Sequence, residues 1–493
     1  MSHREEGIMD TAELELARLR SAGTLTPKMR LQIPPQEMPC QDEHVRRGNM
    51  QEVALGYSPA QAMLEAERCL QCKNAPCIAG CPVRIDIPAF IQKVKEGDFL
   101  GAAKIIKQTN LLPSICGRVC PQEKQCQLPC TVGKALGSVE KAVQIGRLER
   151  FVADYERAQG AVDVPHVAPS TGHRVAVVGA GPAGLTCAVD VRREGHQVTI
   201  FEAFHKPGGV MVYGIPEFRL PKALVAAEAR VLESMGVEFE LNFLVGRTRP
   251  LLSLIKEDGY DAVFIGTGAG LPKFMDIPGE NLVGVFSANE YLTRANLMKA
   301  YERGKAGTPI YPSRRVAVLG GGNVAMDAAR MALRLGAEEV RVLYRRTREE
   351  MPARAEEVVH AMEEGIIFDF LKSPTRVLGD DRGRVAALEV LSYELGEPDE
   401  SGRRRPIPIR GSEVVIPFDT VIVAIGNESN PLISRTTPEL QVDRHGHIIV
   451  DEKQKTSLDR VYAGGDIVLG AATVILAMGE GRRAAAAINE ILQ

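Results

Sequence analysis

The pattern of apolar and polar positions changes near residue 172. After it, short apolar runs such as 175–178 and 316–319 have the length of buried strands, and amphipathic helical patterns fill the intervals between them. Alternating strands and helices predict parallel sheets covered by helices. Before residue 160, helical patterns dominate instead, and we expect helices at 10–20, 88–96 and 98–107.

Two segments of the second part are similar to each other. The first begins at Arg174 and reads RVAVVGAGPAGLTCAVDVRREG, and the second begins at Arg315 and reads RVAVLGGGNVAMDAARMALRLG. Each combines an apolar run, a glycine-rich turn and a helical pattern, which is the order of a dinucleotide-binding unit. The repeat predicts two nucleotide-binding domains of related fold.

The first glycine-rich turn favours FAD. Its glycines allow a close approach of the backbone to a pyrophosphate, and the acid that ends the next strand can accept ribose hydroxyls. A later Gly-Asp resembles the one that two-dinucleotide-binding flavoproteins carry, although an ordinary turn is its alternative interpretation. The predicted residues are Gly179, Gly181, Pro182, Ala183, Gly184, Glu202, Gly208, Gly209, Thr267, Gly465 and Asp466.

The second turn favours NADP(H). The strand after it ends in two arginines instead of an acid, and an arginine pair can clamp a 2′-phosphate with charge-assisted hydrogen bonds. The alternative is a solvated arginine face, because charge runs usually lie on the surface. A later buried strand ends in a glycine that we expect near the nicotinamide. The predicted residues are Gly320, Gly322, Asn323, Val324, Arg345, Arg346 and Gly426.

Eight of the ten cysteines lie between Cys69 and Cys130. Clustered cysteines in a chain of a reducing compartment indicate metal ligands. Their spacings are mostly three to five residues, two runs contain Cys-Pro, and no histidine lies among them, which favours iron–sulfur cubes. Structural zinc is the alternative, although zinc sites prefer paired C-x2-C knuckles. Eight thiolates alone would suffice for two [4Fe–4S] clusters.

Composition narrows the function classes. The 493 residues predict about three domains, and 45% hydrophobic with 25% charged residues excludes wholesale disorder. The net charge of −3 argues against a dedicated nucleic-acid or membrane-surface binder. The charge-free run 175–189 is too short to span a bilayer, and the N-terminus has no apolar signal core. We therefore expect a cytoplasmic protein with no nucleic-acid or membrane partner.

Two motifs in the cysteine region closely resemble one family. They read CGRVCP from Cys116 and IGRLERF from Ile145, and both are similar to the N-terminal domain of the glutamate synthase small subunit and of dihydropyrimidine dehydrogenase. The resemblance implies a second-cube ligand that is not a thiolate. The implied ligands are Cys69, Cys72, Cys77 and Cys130 for one cube, and Cys81, Cys120, Cys126 and Glu149 for the other.

The same resemblance implies further site residues and leaves Cys116 outside both ligand sets. It implies that Arg219 and Thr473 line the FAD site, that Val119 approaches the flavin, and that Arg354 assists NADP(H) binding. No side-chain nucleophile or acid–base pair stands out, and none is needed, because such cofactors supply the redox chemistry. We therefore predict no catalytic side chain.

The expected fold is α/β, with an N-terminal α-helical bis-[4Fe–4S] domain followed by two Rossmann-like domains of the glutathione-reductase type, the second inserted in the first. The polar, arginine-rich insert 380–408 is expected as a hairpin on the second of these. The expected division is an arm at 1–40, the cluster domain at 41–165, the FAD domain at 172–290 and 425–493, and the NADP(H) domain at 291–424.

The implied function is electron transfer between NADP(H), FAD and two clusters. Motifs beginning at Met38, Glu52 and Arg147 look more like the ferredoxin-linked branch of the family, the large subunit of NADH-dependent reduced ferredoxin:NADP⁺ oxidoreductase, whose partners are a small FAD/[2Fe–2S] subunit and ferredoxin. The alternative is the small subunit of NADPH glutamate synthase, with an FMN-containing large subunit. A thioredoxin-reductase-like enzyme is disfavoured, because residues 291–424 contain no cysteine.

Overall fold

The computed structural model describes residues 3–21, 23–160, 162–302, 304–399 and 402–493. Its α-helices are α1 (His3–Ser21), α2 (Pro27–Gln32), α3 (Glu43–Arg46), α4 (Pro59–Glu67), α5 (Pro76–Ala79), α6 (Ile87–Glu96), α7 (Phe99–Lys107), α8 (Pro113–Val119), α9 (Thr131–Ala135), α10 (Ile145–Ala158), α11 (Pro182–Arg193), α12 (Val210–Tyr213), α13 (Lys222–Ser234), α14 (Leu251–Lys256), α15 (Ala288–Asn296), α16 (Asn323–Arg334), α17 (Ala355–Glu363), α18 (Leu432–Thr436), α19 (Asp466–Leu469) and α20 (Val474–Ile491).

Among the described residues, the first strand begins at Arg174. They are β1 (Arg174–Val178), β2 (Gln197–Glu202), β3 (Glu238–Leu241), β4 (Ala262–Ile265), β5 (Leu271–Pro272), β6 (Val285–Ser287), β7 (Arg315–Leu319), β8 (Glu339–Tyr344), β9 (Ile367–Phe370), β10 (Lys372–Gly379), β11 (Val385–Pro398), β12 (Arg404–Pro408), β13 (Val414–Pro417), β14 (Thr420–Val423), β15 (Asn427–Glu428) and β16 (Val461–Ala463).

The first α/β sheet is parallel and has the order β16-β4-β1-β2-β3. Its central strand β1 is buried on both faces, because Val175 and Val177 pack in one apolar cluster and Ala176 and Val178 in another. The edge strand β16 joins this sheet only after the whole second sheet has been completed. The second α/β unit is therefore inserted in the first, which confirms the predicted fold class.

The second α/β sheet is also parallel, with the order β6-β14-β7-β8-β9. Its first strand, β6, lies before residue 291. The NADP(H) domain was predicted from the sequence to begin at 291, so the unit begins earlier in the chain than predicted. The arginine-rich insert is larger than the predicted hairpin. It is an antiparallel sheet in which the long strand β11 pairs with β10, β12 and β13, so that it extends from Lys372 to Pro417.

The region before residue 160 is helical, as predicted. Asp86 caps α6 and Asp98 caps α7, and Gly97 between them has φ of +79°, a left-handed conformation that ends α6. These two helices lie within one residue of their predicted bounds. The predicted helix at 10–20 is longer in the structure, where α1 begins at His3.

A buried ion pair ties the N-terminal segment to this helical region. The Arg68 and Glu65 side chains are fully buried, and Arg68 Nη1 lies 2.6 Å from Glu65 Oε1. Arg68 also donates to the carbonyls of Ile33 at 3.0 Å and Ala142 at 2.9 Å. The Glu65 carboxylate accepts from the backbone N–H of Gln36 at 2.7 Å. Two chain segments far apart in sequence thus meet at one guanidinium.

Within the described ranges, no helix combines the length and the apolar character that crossing a bilayer requires.

We expect Arg68→Met to destabilise the helical region by about 3–5 kcal/mol, because it leaves Glu65 buried without its cation. The matched control is Lys93→Met, since the Lys93 ammonium pairs with Asp98 at the surface, at 3.0 Å, and such pairs contribute at most about 1 kcal/mol. Thermal unfolding followed by circular dichroism measures both shifts. Equal shifts in the two variants would contradict the role given to Arg68.

Candidate functional site

The four cysteines predicted for the first cube lie together. Cys69 and Cys72 are in the loop after α4, Cys77 is in α5, and Cys130 precedes α9, and all four line one small cavity with Ile87 and Ile91. Burial, followed by the charges of Cys69 and Cys130, raises the pKa of the Cys77 thiol to about 12. Apart from the sulfurs and the Thr131 side chain, the cavity is lined by apolar side chains, which suits a cluster held by soft thiolates.

The four residues predicted for the second cube also lie together. Burial, followed by the charges of Cys81, Glu149 and Cys120, raises the pKa of the Cys126 thiol well above its usual value. Glu149 reaches this group from α10, and burial raises the pKa of its carboxyl to about 8. A bound cationic cluster would lower the pKa values of the Cys126 thiol and the Glu149 carboxyl, because metal ligands bind in their deprotonated form.

Two further residues contact this second group. Asn110 Nδ2 donates to Glu149 Oε1 at 2.5 Å, and the Cys116 thiol donates to Asn110 Oδ1 at 3.7 Å. Cys116 is 1% exposed, and its sulfur lies 3.6 Å from Met478 Sδ of α20. Asn110, which orients Glu149, was missed in the sequence, because no motif marks it.

Among the described residues, no three His, Cys, Asp or Glu side chains converge closely enough to hold a single metal ion. A cube of four irons spaces its ligands farther apart than a single ion does.

The first glycine-rich turn joins β1 to α11. Gly179 has φ of +106°, and a Cβ on Gly184 would collide with the Gly179 carbonyl oxygen. The Glu202 carboxylate is buried at the end of β2 and accepts from the backbone N–H groups of Ala180 at 2.8 Å and Phe204 at 2.9 Å. These bonds fix its oxygens and leave each a lone pair for a ribose hydroxyl. Pro182 and Ala183 open α11, whose N-cap is Gly181.

The remaining FAD candidates surround this turn. Gly208 donates to the Ala180 carbonyl at 2.9 Å, and a Cβ on Gly209 would lie 2.9 Å from the Gly181 Cα. A Cβ on Gly465 would lie 2.9 Å from the Ala183 Cβ, so the late Gly-Asp contacts the start of α11. Burial raises the pKa of Asp466 to about 6. The Thr267 hydroxyl is buried without a hydrogen-bond partner, as a group that awaits a ligand would be.

The cluster region packs directly on the helix that follows the late Gly-Asp. Gln125 Nε2 donates to Thr473 Oγ1 at 3.3 Å, and Thr473 caps α20. Six residues further along α20, a Cβ on Gly479 would lie 3.3 Å from the Pro82 carbonyl oxygen. Val119, the last residue of α8, is half-buried next to the second cysteine group. The predicted cluster and FAD residues therefore share one interface.

The second glycine-rich turn opens a cavity of about 520 Å³, which is the size of a ligand site. Gly320 has φ of +137°, and a Cβ there would collide with the Ala424 carbonyl. Asn323 begins α16 and accepts from the Arg354 backbone N–H at 2.8 Å. The cavity is lined by Gly320, Gly322, Asn323, Val324, Arg345, Arg346 and Gly426, all of the predicted NADP(H) residues except Arg354.

The arginines of this region take different positions. Arg345 is exposed at the cavity, whereas Arg346 is 5% exposed. The Arg354 side chain faces the cluster region, where its Nη1 donates to the Arg118 carbonyl at 2.7 Å. Arg219, which was expected at the FAD, is buried against the second α/β unit, with Nη1 2.7 Å from Asp327. The structure does not bring Arg354 into the nucleotide cavity.

Comparison with known proteins gives two matching families. Residues 46–161 match dihydropyrimidine dehydrogenase domain II, 4Fe-4S cluster, and residues 173–489 match the pyridine nucleotide-disulphide oxidoreductases. The glutamate synthase [NADPH] small chain of Halomonas elongata is 40% identical over 90% of this chain and 93% of its own length. The chain belongs to the glutamate synthase small-subunit family. The glutamate synthase [NADPH] small chain of Escherichia coli is 37% identical over 91% of this chain and 95% of its own length.

Other relatives of this chain have different names. The NADP(+)-dependent formate dehydrogenase subunit beta of Moorella thermoacetica is 39% identical over 85% of this chain but 60% of its own length. The structure of FprA from Mycobacterium tuberculosis in complex with NADPH has a TM-score of 0.54 at 20% identity, over 66% of this chain and 84% of that one, and shows a shared fold. The chain is an NADPH-dependent oxidoreductase with a 4Fe-4S domain.

We expect Arg345→Ala to raise KM for NADPH about ten-fold or more and to leave KM for NADH unchanged, because it removes a charged hydrogen bond to the 2′-phosphate. Arg348→Ala is the control, since Arg348 is exposed and lies outside the cavity lining. Steady-state kinetics with both nucleotides measure the effect. An equal loss with NADPH and NADH would contradict the role of Arg345.

Proposed function

We propose that the chain carries electrons between NADP(H), FAD and two [4Fe–4S] clusters and exchanges them with a partner subunit, as a ferredoxin:NADP⁺ oxidoreductase of the electron-bifurcating type. The observation that carries this proposal is the interface between Gln125 and Thr473, which packs the second cysteine group on the helix beside the FAD candidates. Flavin can take a hydride as two electrons and release them singly to clusters.

The residues of the two cysteine groups fit such cofactors. The first group offers four thiolates in one apolar cavity, and the second offers three thiolates and the buried Glu149 carboxylate. The left-handed turn at Gly179, the unpartnered Thr267 hydroxyl and the fixed Glu202 carboxylate are the features that support an FAD here. In this proposal the protein binds and orients the cofactors, and none of its side chains acts as a nucleophile.

The names of the relatives support a partner subunit without identifying it. They are small or beta subunits of a glutamate synthase, a formate dehydrogenase and an NADPH-Fe(3+) oxidoreductase, so similar chains occur in several assemblies. The high identity to glutamate synthase small chains supports a second candidate, in which an FMN-containing large subunit receives the electrons.

We expect anaerobic purification from native cells to yield this chain together with a small FAD/[2Fe–2S] subunit, identified by mass spectrometry. The complex would then reduce NADP⁺ with reduced ferredoxin. A co-purifying FMN and glutaminase chain, with glutamate formation from NADPH, would replace this proposal with the second candidate. A chain that is isolated alone and reduces no added carrier protein would contradict both.

We expect Cys116→Ser to retain eight irons per chain, whereas Glu149→Ala should disturb one cluster. The reason is the family resemblance, which assigns Glu149 and not Cys116 to the cluster. Both side chains lie at the second cysteine group, since the Cys116 thiol also interacts with Cys120 and the Glu149 carboxylate with Cys126. Iron analysis and electron paramagnetic resonance of the reduced protein measure both effects. If Cys116→Ser lost a cluster and Glu149→Ala kept both, Cys116 would be the ligand and Glu149 would not.

A further inference from the structure

One end of the nucleotide cavity is formed by the chain that follows β14. Residues 423–427 line the cavity there, whereas Arg345 and Arg346 line it at the end of β8. In the sheet, β7 with its glycine-rich turn lies between β14 and β8. A dinucleotide with its pyrophosphate at that turn lies across the strand ends, so an adenosine 2′-phosphate at Arg345 places the nicotinamide at the end of β14.

Asn427, the last of these residues, lies where the two α/β units are connected. It begins β15, which pairs with β5, and the two strands of this ribbon link the first unit to the second. The Lys273 backbone N–H donates to the Gly426 carbonyl at 3.0 Å and extends the ribbon to the cavity. The backbone of Asn427 is therefore fixed at the cavity wall.

Two side-chain amides in series fix the orientation of the Asn427 side chain. Asn289 Nδ2 donates to the Gly270 carbonyl at 2.8 Å. Because a backbone carbonyl only accepts, Asn289 presents its oxygen on the other side, and Asn427 Nδ2 donates to that oxygen at 3.3 Å. Among the described residues, no donor contacts Asn427 Oδ1, so this half-buried side chain keeps both lone pairs of its oxygen for a ligand.

The same amides lie on the side of the cavity that faces the predicted FAD residues. A Cβ on Gly270 would lie 4.0 Å from the Tyr213 hydroxyl. Burial, followed by the charges of Asp466 and Glu202, raises the pKa of the Tyr213 hydroxyl to about 12. A continuous series of neighbours thus joins Asn427 to the predicted FAD residues, which is where a nicotinamide must lie for its hydride to reach a flavin.

We propose that Asn427 binds the carboxamide of the NADP(H) nicotinamide by accepting a hydrogen bond from its NH2 group at Oδ1, and that Asn289 is a positioning residue that fixes the Asn427 amide. This inference rests on the NADP(H) binding of the proposed function and adds a residue that recognises the reacting half of the nucleotide. The carboxamide NH2 is a donor, and an oxygen with free lone pairs is the group that recognises it.

The test measures equilibrium binding and needs no turnover. Isothermal titration of the full chain compares NADP⁺ with its 3-acetylpyridine analogue, in which a methyl group replaces the carboxamide NH2, and with 2′,5′-ADP, which has no nicotinamide. We expect the wild type to bind NADP⁺ about three- to ten-fold more tightly than the analogue, because the methyl group leaves Oδ1 unpaired. Asn427→Ala should bind the two equally and keep its affinity for 2′,5′-ADP.

The positioning role has its own variant. Asn289→Ala should lose most of the preference for NADP⁺ over the analogue, because the Asn427 amide is then free to turn, and it should bind 2′,5′-ADP as the wild type does. The control is Glu428→Ala, since Glu428 is an exposed neighbour in β15 that does not line the cavity. This control should bind all three ligands normally.

The outcomes that overturn the inference differ from those that overturn the proposed function. Asn427→Ala would overturn the role of Asn427 if it kept the preference for NADP⁺, or if it weakened 2′,5′-ADP as much as NADP⁺. The same loss of preference in Glu428→Ala would assign the effect to the ribbon, and an unchanged preference in Asn289→Ala would overturn the positioning role. A wild type that binds NADP⁺ and the analogue equally would overturn this inference alone, whereas one that binds neither NADP⁺ nor 2′,5′-ADP would overturn the NADP(H) function.

Discussion

A buried network of arginines and carboxylates is the constraint on which the arrangement of the three units depends. Glu364 is fully buried and contacts Arg330 and Arg334 at 2.7 Å, and Arg46 at 3.1 Å. Although burial opposes ionisation, Arg334 and Arg330 lower the pKa of Glu364 to about 2. Arg219 of the first α/β unit joins the network through Asp327 and Glu357. Arg46 and Arg219 reach these carboxylates from the other two units, so their buried charges are compensated only while the units are docked.

The network also holds the first α/β unit against the second. Phe218 lies beneath two of its cations, with the Arg334 guanidinium 3.8 Å and that of Arg330 4.8 Å from its ring centroid. The chain next to Phe218 is thereby held against α16, the helix that begins at the second glycine-rich turn. On the other side, α20 holds the first unit against the second cysteine group. The contacts between the three units are therefore made by packed helices and buried side chains.

The fold class followed from periodicity and repeats, because local pattern determines local structure in α6, α7 and the two βα units. The two cysteine groups followed from resemblance, since spacing alone left eight thiolates unassigned. The partners of Arg219 and Arg346 could not be predicted, because their carboxylates, Asp327 and Asp399, come from distant segments. Nor could the role of Asn110, whose position depends on how α8 and α10 meet.

The late return of β16 has a consequence for biosynthesis. The second α/β sheet spans one continuous stretch of chain, from Val285 to Val423, and can assemble as soon as that stretch leaves the ribosome. The first sheet, in contrast, stays open at the edge of β4 until residues 461–463 emerge, and α20 follows later still. The inserted unit is therefore able to mature first, and the site proposed for the flavin, which includes Gly465 and Asp466, is complete only in the last moments of translation or after it.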